Sequence, residues 1–380
     1  MDNHNIPKIM MVAGEASGDL HCARLALKLR ELCPSLDLFG MGGSLMSQSG
    51  VEVLYNISDF AVMGITEVIG RLPSILKRIK DLKLLIDNRK PDAIVLVDFP
   101  DFNIRLLPHA HSRHIPVIYY IPPKAWAWRK KRAKTLARYT TAIASIFPFE
   151  AEVYRKAGAN VHYVGHPLLD FVKPSQSKDE LYSRFSLDSS KPIVGLMPGS
   201  RKKEVVRLLP VILKSAQLIK LLIPDCQFVL PVAYTIPLDM IPEMTDPPVM
   251  IIDGSDVYNM MSITDLIIMA SGTATLEATF MNAPMIVIYK VSYLTWIIMK
   301  SLVNSNIKST TLPNIISNRN IVPELLQSEA APEKISDVAV KILRDPQKLE
   351  NQKIELKKIH EQMGKPGAVE GVAKLVLSYV

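Results

Sequence analysis

The sequence predicts an α/β protein made of two doubly wound, parallel-sheet domains, and three observations predict it. Short continuous apolar runs alternate with stretches of helical periodicity along most of the chain; such runs suit parallel strands covered on both faces. A small-residue loop, Gly14-Glu15-Ala16-Ser17-Gly18-Asp19, follows the first run, and Pro198-Gly199-Ser200-Arg201 follows another near mid-chain. The length, 380 residues, exceeds one ordinary core and suits two.

In chain order, Ile9–Val12 is apolar enough for a buried strand, and Leu20–Leu32 is an amphipathic helix. Leu36–Phe39, Ala93–Val97, Val117–Ile121, Ala142–Ile146 and His162–Val164 are further strands of the first half. Asn103–Ser112 and Phe149–Ala157 read as helices between them. The polar stretch Pro167 to Lys191 reads as the connection between domains plus a short helix. The rhythm restarts with the strand Ile193–Met197 and the helix Val205–Leu222, with a kink expected at Pro210. Gln227–Pro231, Val249–Ile252, Leu266–Met269 and Met285–Tyr289 are the later strands, and Pro332 to Val380 is helical, broken at Gly364-Lys365-Pro366-Gly367.

Composition bounds the partners. A hydrophobic fraction of 48% suits a packed globular protein, and no apolar run reaches the length of a bilayer span. The start, Met1 to Lys8, is polar, so no signal peptide is expected. Cys22, Cys33 and Cys226 follow no disulfide or zinc spacing, and a reducing cytosol is the expected compartment. Lys and Arg number 45 against 37 Asp and Glu, a net +8 that permits nucleic acid, anionic lipid or phosphorylated substrates without choosing among them. His109, His111 and His114 form no ligand pattern and no acidic pair resembles a metal–diphosphate clamp, so no metal or other cofactor is expected.

Several segments carry chemistry. Asp98 directly follows the run Ile94-Val95-Leu96-Val97, at the carboxyl edge of a buried strand, where open sheets place ligands. A carboxylate there can act as general base, while Asp101 or Asn103 can instead cap the next helix. Gly199, Ser200 and Arg201 offer backbone N–H groups and a forked cation to an anion; an ordinary helix start with an exposed Arg is the alternative. Ser271, Gly272 and Thr273 repeat the pattern after Leu266–Met269, and Glu277, one turn on, can reach a ribose diol. Thr273 as N-cap with Glu277 as a first-turn acid is the alternative. Ile65, Val68, Ile69, Leu72, Ile75, Leu76, Ile79, Leu82 and Ile86 fall at helical spacing among Arg71, Lys77, Arg78, Lys80 and Lys83. That stripe docks on an anionic membrane or faces a core. Trp126, Trp128, Arg129, Lys130, Lys131, Arg132 and Lys134 form a basic aromatic cluster that reads either as a phosphate or nucleic-acid surface or as a solvated helix face.

Taken together, Gly14 to Asp19, Val62-Met63-Gly64 with Glu67-Val68, Val97-Asp98-Phe99-Pro100-Asp101-Phe102-Asn103, Ala125-Trp126-Ala127-Trp128-Arg129, Val164-Gly165-His166-Pro167, Pro198 to Arg201, Ser271 to Glu277 and Leu312-Pro313-Asn314 occur in an order that resembles the lipid-A-disaccharide synthases. The resemblance runs from about Ile9 to about Leu326. It implies a GT-B fold, two Rossmann-like domains with a cleft between them: residues 1–170 facing acceptor and membrane, 171–345 binding UDP-sugar, and 346–380 crossing back toward the first domain. It implies a metal-independent, inverting transfer from UDP-2,3-diacylglucosamine to 2,3-diacylglucosamine 1-phosphate (lipid X). By resemblance Asp98 becomes the base, Arg201 the diphosphate ligand, and Gly199, Ser200, Ser271, Gly272, Thr273, Glu277 and Asn314 the rest of the donor site. Glu15, Ser17, Gly18, Asp19, Met63, Glu67, Trp128 and Arg129 become loop or acceptor residues of the first domain. Ile65, Val68, Ile69, Leu72, Ile75 and Leu76 become acyl- or membrane-facing, on a peripheral protein of the inner membrane's cytoplasmic face. A homodimer is expected and nucleic acid is not. One departure is Pro122-Pro123-Lys124, where the family usually has Ser-Pro before the Trp-x-Trp-Arg segment.

Overall fold

A computed structural model describes residues 6–60, 72–123, 131–242, 246–291 and 309–380. The chain divides into two compact units, residues 1–170 with 363–380, and residues 171–362.

The first unit is wound on seven strands: β1 (Lys8–Ala13), β2 (Asp37–Gly42), β3 (Glu52–Asn56), β4 (Ala93–Val97), β5 (Val117–Tyr120), β6 (Ala142–Ser145) and β7 (Val161–Tyr163). All pair in parallel, in the order β3-β2-β1-β4-β5-β6-β7. The chain therefore reverses direction across the sheet between β1 and β4, where Ala13 pairs with Val97. Ile9–Ala13 and Ala93–Val97 are fully buried, because helices cover both faces and each residue must be apolar.

The second unit repeats the plan with β8 (Ile193–Met197), β9 (Gln227–Val232), β10 (Val249–Asp253), β11 (Leu266–Ala270), β12 (Met285–Tyr289) and β13 (Glu324–Leu326). The order is β10-β9-β8-β11-β12-β13, again parallel. Its reversal lies between β8 and β11, with Met197 opposite Met269. Alternate residues feed two cores: Val194 and Leu196 pack with Leu208 and Ile212 of one helix, whereas Ile193, Ile267 and Met269 pack with Met260 and Ala278 of others.

Most expected strands recur within a residue or two. β3 and β13 are additions, both at sheet edges, where half-exposed alternation or three residues replace a continuous apolar run. The expected helix Asn103–Ser112 is two, Pro100–Asn103 and Leu107–Ser112; Pro108, lacking an N–H, sits in the second one's first turn. Helix Lys202–Leu222 runs on through Pro210. Helix Pro346–Gln362, expected to cross to the first domain, belongs to the second unit, with Leu356 in its core and Gln352 bonded to both backbone groups of Met285. Helix Ala368–Leu377 packs in the first unit against Ala16–Leu32. Asp170 caps its start, accepting from Gly367 N at 2.5 Å and Val369 N at 3.1 Å.

Candidate active site

Each unit gathers its chemistry-bearing loops at its own reversal point, where strand carboxyl ends leave a crevice. In the first unit these are the loop after β1 and the elbow after β4. Gly14 packs under the Phe99 ring, and a Cβ there would lie 1.9 Å from Phe99 Cδ1, so any other residue would have to displace that ring. Glu15 is the extended residue that opens helix Ala16–Leu32, and both it and Ser17 are exposed. Gly18 is buried against Ala13. Asp19, expected as a loop or acceptor residue of the first domain, stands in the first turn of helix Ala16–Leu32. It is 4% exposed and turns inward, accepting from Gly43 N at 2.7 Å, Leu45 N at 3.1 Å and Met46 N at 3.2 Å. Its carboxylate therefore satisfies the orphan amides that open helix Ser44–Gln48.

Asp98 leaves β4 in the left-handed region, φ 47°, and Phe99 follows at φ 44°. Each such non-glycine residue costs roughly 1–2 kcal/mol. The Asp98 amide still bonds to Tyr120 O at 3.2 Å, continuing the β4–β5 ladder one step before the turn. Asp98 is half-buried at the sheet's edge. The cap alternative for Asp101 and Asn103 does not hold, since Phe99 occupies the cap position. Asp101 points outward and pairs with Arg132. Asn103 is fully buried and turns back on the strand end.

In the second unit the loops after β8 and β11 flank the reversal. Gly199 has φ +115° and a Cβ there would meet Glu204 Oε2 at 2.7 Å, so glycine is required. Ser200 O accepts from Thr235 Oγ1 at 2.6 Å, which ties this loop to the one after β9. Arg201, its side chain 69% exposed, donates to Glu204 at 2.8 Å. Ser271 Oγ donates to Thr310 O at 3.4 Å, and Gly272 and Thr273 are exposed. Thr273 stands at the N-cap position of helix Ala274–Phe280 with Glu277 in its first turn, as the cap alternative had it, but Thr273 has helical backbone and its side chain makes no cap bond. Glu277, half-buried, accepts from Tyr258 OH at 3.3 Å. At the end of β12, Tyr289 is pushed above the usual phenol range by burial and by Glu204, against the opposing pull of Arg201 and Arg207. Tyr289 and Arg207 thus join the Arg201 locality, which the sequence reading did not include.

The family-model match covers residues 9–370 and is described as lipid-A-disaccharide synthetase. The chain belongs to the lipid-A-disaccharide synthase family. A lipid-A-disaccharide synthase of Geobacter metallireducens is 41% identical over 372 residues, covering 97% of this chain and 96% of that one. One of Syntrophus aciditrophicus is 40% identical over 380 residues (99% and 98%), and one of Coxiella burnetii 37% over 368 residues (97% and 97%). Family membership makes the chain a glycosyltransferase of lipid A disaccharide synthesis. Among solved structures, the S. aureus MnaA–UDP co-structure matches with TM-score 0.67 at 14% identity, covering 98% of each chain. Acinetobacter baumannii MurG matches at 0.58 and 13% identity, covering 98% and 99%. At such identities these likenesses speak for the fold, which is GT-B.

Other sites expected from the family resemblance fall differently. Asn314 is not open to a donor: it is 2% exposed and its amide is fully committed. Its Oδ1 accepts from Ile321 N and Val322 N, both at 2.9 Å, and its Nδ2 donates to Val322 O at 2.8 Å and Glu324 Oε1 at 2.7 Å. Glu324, unremarked in the sequence, is the hub of this node. It also accepts from Ser309 Oγ, and from the amides and hydroxyls of Thr310 and Thr311 at 2.7–3.3 Å. The node holds Thr310 beside Ser271, so Asn314 serves the donor-type loop as scaffold. Burial works to raise the Glu324 pKa, but the bonds from Ser309, Thr310 and Thr311 together hold it below the usual carboxylate range. The stability it contributes is therefore present above the unfolded-state value and lost as pH falls through the folded-state value. Glu324→Gln is expected to destabilise the second unit by about 1–3 kcal/mol at neutral pH. In urea titrations the gap to wild type should narrow as pH falls below the ordinary glutamate range; a gap that stays unchanged through acid pH would contradict this role for Glu324.

Met63, Ile65, Glu67, Val68, Ile69, Trp128 and Arg129, with the side chain of Leu72, lie outside the described residues. In helix Leu72–Arg89, Ile79, Leu82 and Ile86 are buried in the first unit's core. Ile75 packs against that core too, which corrects its lipid-facing assignment, whereas Leu76 is 46% exposed. No described helix is long and apolar enough to cross a membrane. No group of three or more His, Cys, Asp or Glu among the described residues could hold a metal ion.

Proposed function

We propose that the chain moves 2,3-diacylglucosamine from UDP-2,3-diacylglucosamine to the 6-hydroxyl of lipid X, with inversion and without a metal. The observation that carries this is the division of chemistry between the units. A carboxylate, Asp98, stands at one reversal point and a cation-bearing anion loop, Gly199-Ser200-Arg201, at the other. Asp98 takes the hydroxyl proton as the oxygen bonds to the anomeric carbon. The bond to UDP breaks on the opposite side, and its electron pair leaves with the diphosphate. Arg201, the amides of Gly199 and Ser200, and the Ser271–Thr273 loop meet that growing negative charge, and their attraction strengthens toward the transition state. Glu277 takes the ribose hydroxyls. In this reading residues 1–170 hold the acceptor and 171–345 the donor. The protein works as a peripheral homodimer on the cytoplasmic face of the inner membrane, with Leu76 toward lipid.

The test is UDP release from UDP-2,3-diacylglucosamine with and without lipid X, in detergent with EDTA. Release that requires lipid X and survives EDTA is the expected result. Release without acceptor would make the chain a hydrolase, and loss of activity in EDTA would overturn the metal-free mechanism.

A further inference from the structure

The Asp98 carboxylate rides on a backbone that must be held. Two successive left-handed residues, φ 47° and 44°, are a conformation that L-residues avoid unless the surroundings impose it. Two side chains converge on the Asp98 carbonyl: Asn103 Nδ2 donates at 2.8 Å and Tyr119 OH at 2.7 Å. Both residues are 0% exposed. Asn103 Nδ2 also lies 3.3 Å from Val97 O, so one amide bridges the last strand residue and the first residue of the elbow. Its own Oδ1 is buried with no partner among the described residues. Leaving a buried acceptor unpaired is costly, and an apolar side chain of that size would avoid the cost. What Asn supplies there and an apolar residue cannot is the bond from Nδ2. Asn103 is also on the helix that starts at the elbow, and Tyr119 is on β5 next to β4. The carbonyl is thus pinned from two independent elements.

We infer that Asn103 and Tyr119 are positioning residues for the transfer: they lock the Asp98 backbone in its left-handed turn and so aim the carboxylate at the acceptor hydroxyl. The inference rests on Asp98 being the base. Both residues act through Asp98, so their loss should slow the chemical step without touching the donor loops, which belong to the other unit.

The experiment is a double-mutant cycle on the full chain. Asn103→Ala and Tyr119→Phe are each made in the wild type and in Asp98→Glu, whose carboxylate is already displaced by one methylene. Steady-state rates use UDP-2,3-diacylglucosamine and lipid X, and UDP affinity is read by calorimetry. In the wild-type background kcat should fall about 10- to 100-fold for Asn103→Ala and about 3- to 10-fold for Tyr119→Phe, with donor KM and UDP affinity within about twofold. In Asp98→Glu, itself slowed at least about tenfold, the same changes should cost less than about twofold. Equal losses in both backgrounds, or losses confined to KM or UDP affinity, would overturn the inference and leave the base assignment standing. Wild-type turnover by Asp98→Glu would show that the carboxylate's aim does not matter and would overturn the inference, whereas wild-type turnover by Asp98→Asn, which has no base, would overturn the base assignment itself. Should Asn103→Ala fail to fold, Tyr119→Phe decides alone, since it keeps the buried ring and removes one oxygen.

Discussion

Asp98→Asn is expected to lower kcat by about 10²- to 10⁴-fold while UDP affinity stays within about twofold. The substitution is chosen for its backbone as much as for its head group. Asn is among the few residues that accept left-handed φ readily, so the elbow at φ 47° should survive. The amide matches the carboxylate in shape but cannot take a proton. A drop confined to kcat then reports the missing base, since the donor-type loops lie on a different sheet. If calorimetry showed UDP binding falling in step with kcat, Asp98 would belong to donor binding and the acid–base role would fail. If turnover were unchanged, another group would be taking the proton.

The residues at strand ends were legible in the sequence because strand ends are. Runs such as Ala93–Val97 and Ile193–Met197 are continuous and apolar, since both faces of each sheet are covered. Whatever follows such a run lies at a carboxyl edge, so Asp98 and Gly199–Arg201 could be placed by position. What depends on contacts across the fold was not legible. Asn103 suits a helix cap by residue type, but the carbonyls of Val97, the last residue of β4, and of Asp98 claim its amide. Asn314 read as a ligand because it stands in a family segment, yet it is spent on Val322 and Glu324. Glu324 gathers donors 10 to 15 residues earlier in the chain, and no local spacing announces that. The stripe through Ile75, Ile79, Leu82 and Ile86 shows why periodicity alone is mute about its partner. Three and four residues apart is the spacing of any buried helix face, whether protein or lipid covers it. Packing decides for the core at Ile79, Leu82 and Ile86 and leaves Leu76 outside.

Arg201→Ala is expected to weaken UDP binding about 10- to 100-fold and to lower kcat further, by about 10²-fold, because a charge-assisted bond to a leaving diphosphate strengthens as charge builds on it. The guanidinium is 69% exposed and pairs with Glu204. An exposed pair of this kind is worth little, so the side chain can be drawn to an anion at small cost. Two companion variants make the reading specific. Arg201→Lys keeps the charge but loses the planar fork, so it should recover part of the affinity and little of the rate. Glu204→Gln frees Arg201 from its resting partner and removes a negative charge near the site, so UDP should bind somewhat tighter. The gain should shrink with added salt, since exposed charges are screened beyond about 10 Å at 0.1 M. Unchanged UDP affinity in Arg201→Ala would remove this residue from the donor site. The anion would then fall to the backbone amides after Gly199, whose left-handed φ turns the chain at that point, and to Arg207, which the Tyr289 environment places in the same locality.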